Sequence, residues 1–227
     1  MYDSVPLNSH DTTYSFFTES DSRDSTVTGM TEETAIKWLI SNPHFRNAFI
    51  SDFFDNPSAI KEFYGLQRPF TDPNKVPGDI DLLLVDPFQP QYSIAFECKR
   101  VKAISTDTGS KVNNVQAIKK CVRQANAYRE LGFYQTYLTI ILLDDGRAMT
   151  TPNTMFRYGN SPAIECIYNI PWQEPLHEDV GIIYIKVNQT TGKSIELSGS
   201  VGFCIDKTAN YLEQTTKMTS QIRSLFI

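Results

Sequence analysis

The chain has no long apolar run, few cysteines and histidines, and no excess of positive charge. No stretch approaches the roughly 20 apolar residues of a membrane-spanning helix. The four cysteines form no C-x-x-C pair, which argues against a zinc site and favours buried free thiols. A formal net charge of −5 excludes a generally basic protein. Because the first residues lack the basic and then apolar layout of a signal peptide, we expect a cytoplasmic protein.

Length and composition favour one folded domain after a polar N-terminal segment. Residues 1–30 are rich in serine, threonine and aspartate, so we predict a flexible segment that cannot bury a core of its own. The remaining residues, 31–227, hold enough apolar side chains for a single domain. We expect its core at about 31–145, followed by C-terminal strands and a helix at 146–227.

The spacing of apolar residues predicts an α/β fold. Strands are predicted at 66–71, 80–85, 94–101, 137–143, 180–187 and 194–203. Helical segments are predicted from Thr31 to an interruption near Pro43, and at 45–54, 59–64, 115–131 and 206–225. A polar segment at 105–114 separates the second of the two central strands from the long helix.

Two of the predicted strands carry charges that a plain core strand would lack. Because residues two apart in a strand share a face, Asp79 lies beside Asp81 and Glu97 beside Lys99. Carboxylates about 4 Å apart repel by roughly 4 kcal/mol at an effective dielectric near 20, and a single lysine offsets only part of this. Since Mg²⁺ is held by one or two protein carboxylates with water and phosphate, the pattern predicts a divalent cation at Asp81 and Glu97.

These residues also form a known motif. Gly78-Asp79-Ile80-Asp81 before an apolar strand, followed by Glu97-Cys98-Lys99, resembles the PD-(D/E)XK phosphodiesterase superfamily of restriction-endonuclease-like nucleases and resolvases. The resemblance implies that Asp81 and Glu97 bind Mg²⁺ or Mn²⁺ together with the main-chain carbonyl of Cys98. It also implies that Lys99 orients or deprotonates the attacking water, and a restriction-endonuclease-like core with a mixed central sheet flanked by helices.

Some relatives supply further groups to this site. A helix before the catalytic strands gives a metal-site glutamate in some of them, which makes Glu33 a candidate ligand beside Asp79. Gln124 and Tyr128 lie four residues apart, hence on one face of the predicted helix, and match the Gln-x-x-x-Tyr motif of the RecB and lambda-exonuclease-like branch. There the pair borders the active site. The chain lacks the tight C-terminal cysteine group of the iron–sulfur members, so we expect no cluster.

Basic residues concentrate between the predicted catalytic lysine and the end of this helix, where Asp107 is the single acidic residue of 99–129. A basic strip beside a carboxylate site suits a phosphate backbone. The candidate nucleic-acid-binding residues are Arg100, Lys102, Lys111, Lys119, Lys120 and Arg123. An ordinary solvated face accounts equally well for any single lysine.

The sequence thus favours a metal-dependent nuclease that acts on DNA rather than RNA, and the resemblance allows a homodimer. Taken singly, Asp79 and Asp81 suit turn or capping positions, Glu97 and Lys99 a solvated strand face, and Tyr128 a core aromatic. A catalytically inactive nucleic-acid-binding or scaffold protein with the nuclease fold is the main alternative function. An unrelated α/β interaction module is the other.

Overall fold

The structure, a computed structural model, describes residues 12–15, 27–67, 70, 78–106, 109–113, 115–144, 166–191 and 196–227. Its strands are β1 (Thr12–Ser15), β2 (Lys61–Leu66), β3 (Ile80–Val85), β4 (Ile94–Thr106), β5 (Gly109–Asn113), β6 (Gln135–Asp144), β7 (Gly181–Thr191) and β8 (Glu196–Lys207). Its α-helices are α1 (Glu32–Ser41), α2 (Pro43–Ser51), α3 (Val115–Leu131), α4 (Ile170–Gln173) and α5 (Thr216–Arg223).

All described strands belong to one mixed sheet, in the order β1-β8-β7-β6-β4-β3-β2, with β5 attached to β4. β2, β3 and β4 form an antiparallel meander, whereas β4, β6 and β7 are parallel neighbours. Parallel neighbours need a crossover connection, and α3 supplies it between the β4–β5 hairpin and β6. The prediction of an α/β fold with a mixed sheet and helices is confirmed.

Helices cover both faces of the sheet. On one face, α1 and α2 bury Leu39 and Phe49 against Leu82 of β3 and Phe96 of β4. On the other face, α3, α4 and α5 pack over residues of β3, β4, β6 and β7, as Ile118 of α3 does against Ile140 of β6. Most of β3 and all of β6 are therefore buried, which explains their near-continuous apolar sequence.

The start of α1 and the break before α2 follow from capping residues. The Thr31 hydroxyl accepts the Thr34 N–H at 3.1 Å, which is the N-cap contact expected of threonine. Asn42 ends α1 and caps α2, where its side chain accepts two N–H groups, and Pro43 occupies the first turn of α2. The predicted helix start at Thr31 and interruption near Pro43 are confirmed.

Three sequence predictions differ from the structure, and one strand was not predicted. Residues 61–64 belong to strand β2 rather than to a helix, because short apolar runs have no period that separates the two. The predicted strand at 66–71 overlaps β2 only at Leu66, and 68–69 and 71 lie outside the described residues. The polar segment 105–114 contains β5, and the closing helix covers only Thr216–Arg223.

The described residues also bear on the membrane and thiol predictions. None of the helices described is long and apolar enough to cross a membrane. Cys98 and Cys121 are buried, as predicted, but Cys204 is only partly buried. The side chain of Cys166 and most of the segment 1–30 lie outside the described residues, although Thr12–Ser15 of that segment form β1 and pair with β8.

Candidate functional site

The predicted acidic residues lie where β3 and β4 separate. β3 pairs with β4 only over residues 94–96, and β5 takes up the same edge of β4 from Lys102 onward. No strand that the structure describes pairs with this edge in between. Two carboxylates fill the gap instead: Asp81 Oδ2 accepts the Cys98 N–H at 2.7 Å, and Glu32 Oε2 accepts the Arg100 N–H at 2.7 Å. Side chains thus satisfy amides that a neighbouring strand would normally bind.

A cleft of about 630 Å³ opens in front of Asp81. Its lining residues are Thr31, Glu32, Glu33, Ile36, Tyr64, Gly65, Asp79 and Asp81. Four of these residues carry carboxylates and none is a lysine or arginine. The cleft is therefore suited to a cation, and an anionic substrate would need one to approach it.

Asp81 lies at the inner end of this cleft. Burial raises the pKa of Asp81 to about 7, although the hydrogen bond from the Cys98 N–H lowers it. The charges of Glu32 and Asp79 contribute to this rise in the pKa, and the charge of Lys99 opposes it. The side chain of Asp79 is exposed, at the mouth of the cleft. Near neutral pH the Asp81 carboxyl therefore exchanges readily between its protonated and charged forms.

Glu97 is the most deeply buried acid of the site. It is 3% exposed, and its Oε2 atom has no hydrogen-bond partner among the described residues. Burial and then the charge of Asp81 raise the pKa of Glu97 well above its usual range, while the Tyr128 hydroxyl and the Cys121 thiol lower it in part. A buried carboxylate oxygen without a partner needs an explanation, and a bound cation would supply one.

Lys99 forms an ion pair with a residue that the sequence had not singled out. Its Nζ lies 2.9 Å from Glu32 Oε1, and both side chains are about three-quarters buried. Burial lowers the pKa of Lys99, but the hydrogen bond to Glu32 and the surrounding negative charges raise it to a net value above the usual one. Lys99 is therefore protonated at neutral pH.

Glu32 and Glu33 occupy the first turn of α1, and the structure distinguishes them. Glu32 contacts both Lys99 and the Arg100 N–H. Glu33, the predicted candidate, has a side chain that is 74% exposed and pairs with Lys37 at 2.6 Å, although it reaches the wall of the cleft. The capping pattern after Thr31 signals a glutamate here but does not determine which of two neighbours faces β4.

Gln124 and Tyr128 come together against the chain that leads into β3. The Tyr128 hydroxyl donates to the Asp79 carbonyl, and its side chain is fully buried. Gln124 Nε2 lies 3.5 Å from where a Cβ at Gly78 would stand, and Gly78 has a φ of +92° that favours glycine. Tyr128 therefore supports the site from inside, whereas the resemblance implies a place at its border.

The predicted basic strip divides into parts with different surroundings. The Arg100 guanidinium donates to the Met30 carbonyl and so anchors the chain before α1, which differs from the expected phosphate contact. Lys119 pairs with Glu174 at 2.7 Å. Three further candidates are exposed, on β5 and α3, and one on β4 is partly exposed: Lys111, Lys120, Arg123 and Lys102.

The residues present offer a small divalent cation two carboxylates and one main-chain carbonyl. In the part of the chain that is described, no group of three or more His, Cys, Asp or Glu side chains is arranged to hold a metal. The site offers the pair Asp81 and Glu97 instead. The Cys98 carbonyl lies on the same open edge as its N–H, because both groups of a strand residue point to one edge. One or two carboxylates suffice for Mg²⁺ when water and phosphate complete its shell.

Comparison with known proteins adds no further identification. The chain matches no protein-family model, no curated protein and no solved structure. Its function is therefore inferred from the geometry and chemistry of the site.

Proposed function

We propose that the chain is a metal-dependent nuclease that hydrolyses phosphodiester bonds of DNA. The observation that carries this proposal is the carboxylate pair at an unpaired strand edge, in which Asp81 is partly buried and Glu97 is buried, with Glu97 Oε2 lacking a partner among the described residues. A protonated lysine, Lys99, lies beside the pair. Burial, and to a smaller extent repulsion by neighbouring carboxylates, raises the pKa values of both carboxyls, and a bound cation would stabilise their charged forms.

The order of elements supports the same proposal. α1 precedes the meander β2–β3–β4, α3 follows, and β6 then pairs with β4 in parallel. Strand, strand, helix and strand in this order are what the resemblance to PD-(D/E)XK nucleases implies. The charged residues of the motif lie on the two central strands of this unit, as the motif requires.

Each residue has a definite part in the proposed reaction. Asp81, Glu97 and the Cys98 carbonyl would hold Mg²⁺ or Mn²⁺, which when bound polarises the scissile phosphate and lowers the pKa of a coordinated water. Lys99 orients that water and offsets the negative charge that develops on the phosphate. The pKa of Lys99 is raised by its hydrogen bond to Glu32, so its ammonium group supplies a positive charge beside the carboxylates. Glu32 holds the ammonium group in place.

Cleavage assays test this function directly. Supercoiled plasmid, linear duplex and end-labelled single strands are incubated with Mg²⁺ or Mn²⁺ and wild-type protein, Lys99→Ala, or the control Lys217→Ala, an exposed lysine of α5. We expect cleavage to fall about 100-fold or more in Lys99→Ala and to stop in chelator. The control should cleave as wild type does. Full activity in Lys99→Ala would remove the lysine from the mechanism.

A catalytically inactive nucleic-acid-binding protein is the second candidate. It is favoured by one observation: Lys99 and Asp81 are already engaged by Glu32 and the Cys98 N–H within the protein. Such a protein would bind nucleic acid but would leave every substrate of the cleavage assays intact with either metal.

A further inference from the structure

The hydrogen-bond partners of Glu97 determine how well its carboxylate can hold an ion. Glu97 is 3% exposed, and its Oε2 atom has no hydrogen-bond partner among the described residues. Carboxylates that bind metals in proteins are themselves held by hydrogen bonds, which fix their orientation. We therefore expect a donor inside the protein that orients Glu97 and leaves one of its oxygens for the ion.

The register of the sheet places Glu97 under α3. Glu97 is directly opposite Leu138 in the parallel pairing of β4 with β6. Side chains of such partners point to the same face of the sheet. Leu138 belongs to one core cluster with Cys121 and Val122 of α3. Cys121, which is 1% exposed, therefore lies over the part of the sheet from which Glu97 projects.

The buried side of α3 brings two polar groups to this part of the sheet. Its buried residues are Ile118, Cys121, Val122, Ala125 and Tyr128. The Tyr128 hydroxyl has a single proton, which it donates to the Asp79 carbonyl. Among the buried side chains of α3, the Cys121 thiol is therefore the donor that remains for Glu97.

The electrostatics of the two side chains agree with this contact. Burial raises the pKa of Glu97, and the approach of the Tyr128 hydroxyl and the Cys121 thiol lowers it in part. Burial and then the charge of Glu97 raise the pKa of Cys121, so the thiol keeps its proton at neutral pH. A protonated thiol is a weak donor, and it binds most strongly to a charged acceptor such as a carboxylate.

We propose that Cys121 is a positioning residue of the cation site, whose S–H group donates to the Glu97 carboxylate and keeps Oε2 available to Mg²⁺ or Mn²⁺. This role rests on the metal site of the nuclease proposed above. Without the thiol, the orientation of Glu97 is no longer fixed from α3, and the carboxylate should bind an ion more weakly. Loss of such an outer partner typically lowers metal affinity about 10- to 100-fold.

Binding of Mn²⁺ to the chelator-treated full chain tests this role, because free Mn²⁺ gives an electron paramagnetic resonance signal that is lost on binding. Cys121→Ala removes the donor, and Cys121→Ser replaces it with a hydroxyl donor. The control Val122→Ala shortens a neighbouring buried side chain of α3 that carries no donor. Thermal unfolding without metal verifies that each variant is folded, and Cys121→Val takes the place of Cys121→Ala if the latter is not.

We expect the Kd for Mn²⁺ to rise about tenfold or more in Cys121→Ala and to stay within about threefold of wild type in Cys121→Ser. Val122→Ala should lower the melting temperature measured without metal and keep the wild-type Kd. A wild-type Kd in Cys121→Ala would overturn the positioning role. An equal rise in Cys121→Ser or in Val122→Ala would also overturn it, because packing alone would then account for the effect.

Cleavage by the same proteins keeps the two proposals apart. Thiol-dependent binding of Mn²⁺ without Lys99-dependent cleavage would support the positioning role and overturn the nuclease. Lys99-dependent cleavage together with a wild-type Kd in Cys121→Ala would support the nuclease and overturn the positioning role. Failure of the wild-type protein to bind Mn²⁺ would overturn both.

Discussion

Asp81 is the residue whose charge state most directly links stability to pH. Its pKa rises from an ordinary 3.8 to about 7 on folding, so between these pH values the folded chain binds more protons than the unfolded chain. The stability that Asp81 contributes is therefore greatest near pH 4, falls as pH rises, and levels off above pH 7. The pKa of Glu97 is shifted in the same direction, which adds to the decline.

Urea unfolding in chelator between about pH 4 and 7 measures this effect. Asp81 should contribute a fall in the free energy of unfolding of up to about 1.4 kcal/mol per pH unit. Asp81→Asn should remove that part of the slope, whereas Glu213→Gln, at an exposed position, should retain it. A wild-type slope that persists in Asp81→Asn would show that the carboxyl titrates normally.

Glu32 connects α1 to the open edge of β4 through contacts with Lys99 and the Arg100 N–H. Glu32→Ala leaves the Arg100 N–H and the Lys99 ammonium without this carboxylate, which should cost about 1–3 kcal/mol of stability. Glu33→Ala, one residue along, loses an exposed ion pair with Lys37 and should change stability by less than about 0.5 kcal/mol. Urea unfolding at pH 8 compares them, and equal losses would contradict the assignment of Glu32 to the site.

The elements that the sequence predicted correctly are those with a long, regular pattern. The apolar runs of β3, β4 and β6 and the 3.6-residue period of α3 are each determined by the residues of one segment. The segment before α5 was predicted wrongly because its conformation depends on distant contacts. There Gln214 donates to Pro90, 124 residues away, and accepts a hydrogen bond from Ser93. The sequence of one segment does not identify such distant partners.

The part of the site that lies on β3 and β4 could be predicted from the sequence, but the contacts that other elements make with it could not. Asp81, Glu97 and Lys99 lie together because strand alternation and the neighbouring positions of β3 and β4 are readable from the sequence. The choice of Glu32 over Glu33 depends on how α1 is rotated against β4. The anchoring role of Arg100 depends on where Met30 lies, and neither relation is encoded within a single element.

For the whole molecule, a cation that binds the folded chain alone should raise its melting temperature. Mass action gives about 2.7 kcal/mol at a free metal concentration of 100 times Kd. We expect Mg²⁺ and Mn²⁺ to stabilise wild type and Lys217→Ala but not Asp81→Ala. The effect should be larger at pH 8 than at pH 6, because Asp81 must lose its proton to bind the ion. A melting temperature of wild type that ignores both ions would argue against the site.

Two main-chain N–H groups at the unpaired edge of β4 can report on the state of the site. The Cys98 and Arg100 N–H groups bond to Asp81 and Glu32, so their exchange with deuterium depends on these side chains and not on separation of strands. If an ion draws Asp81 away, the Cys98 amide loses its protection alone. If α1 lifts from the sheet, the Arg100 amide is released. The interruption in strand pairing thus gives the chain separate backbone reporters of ion binding and helix docking.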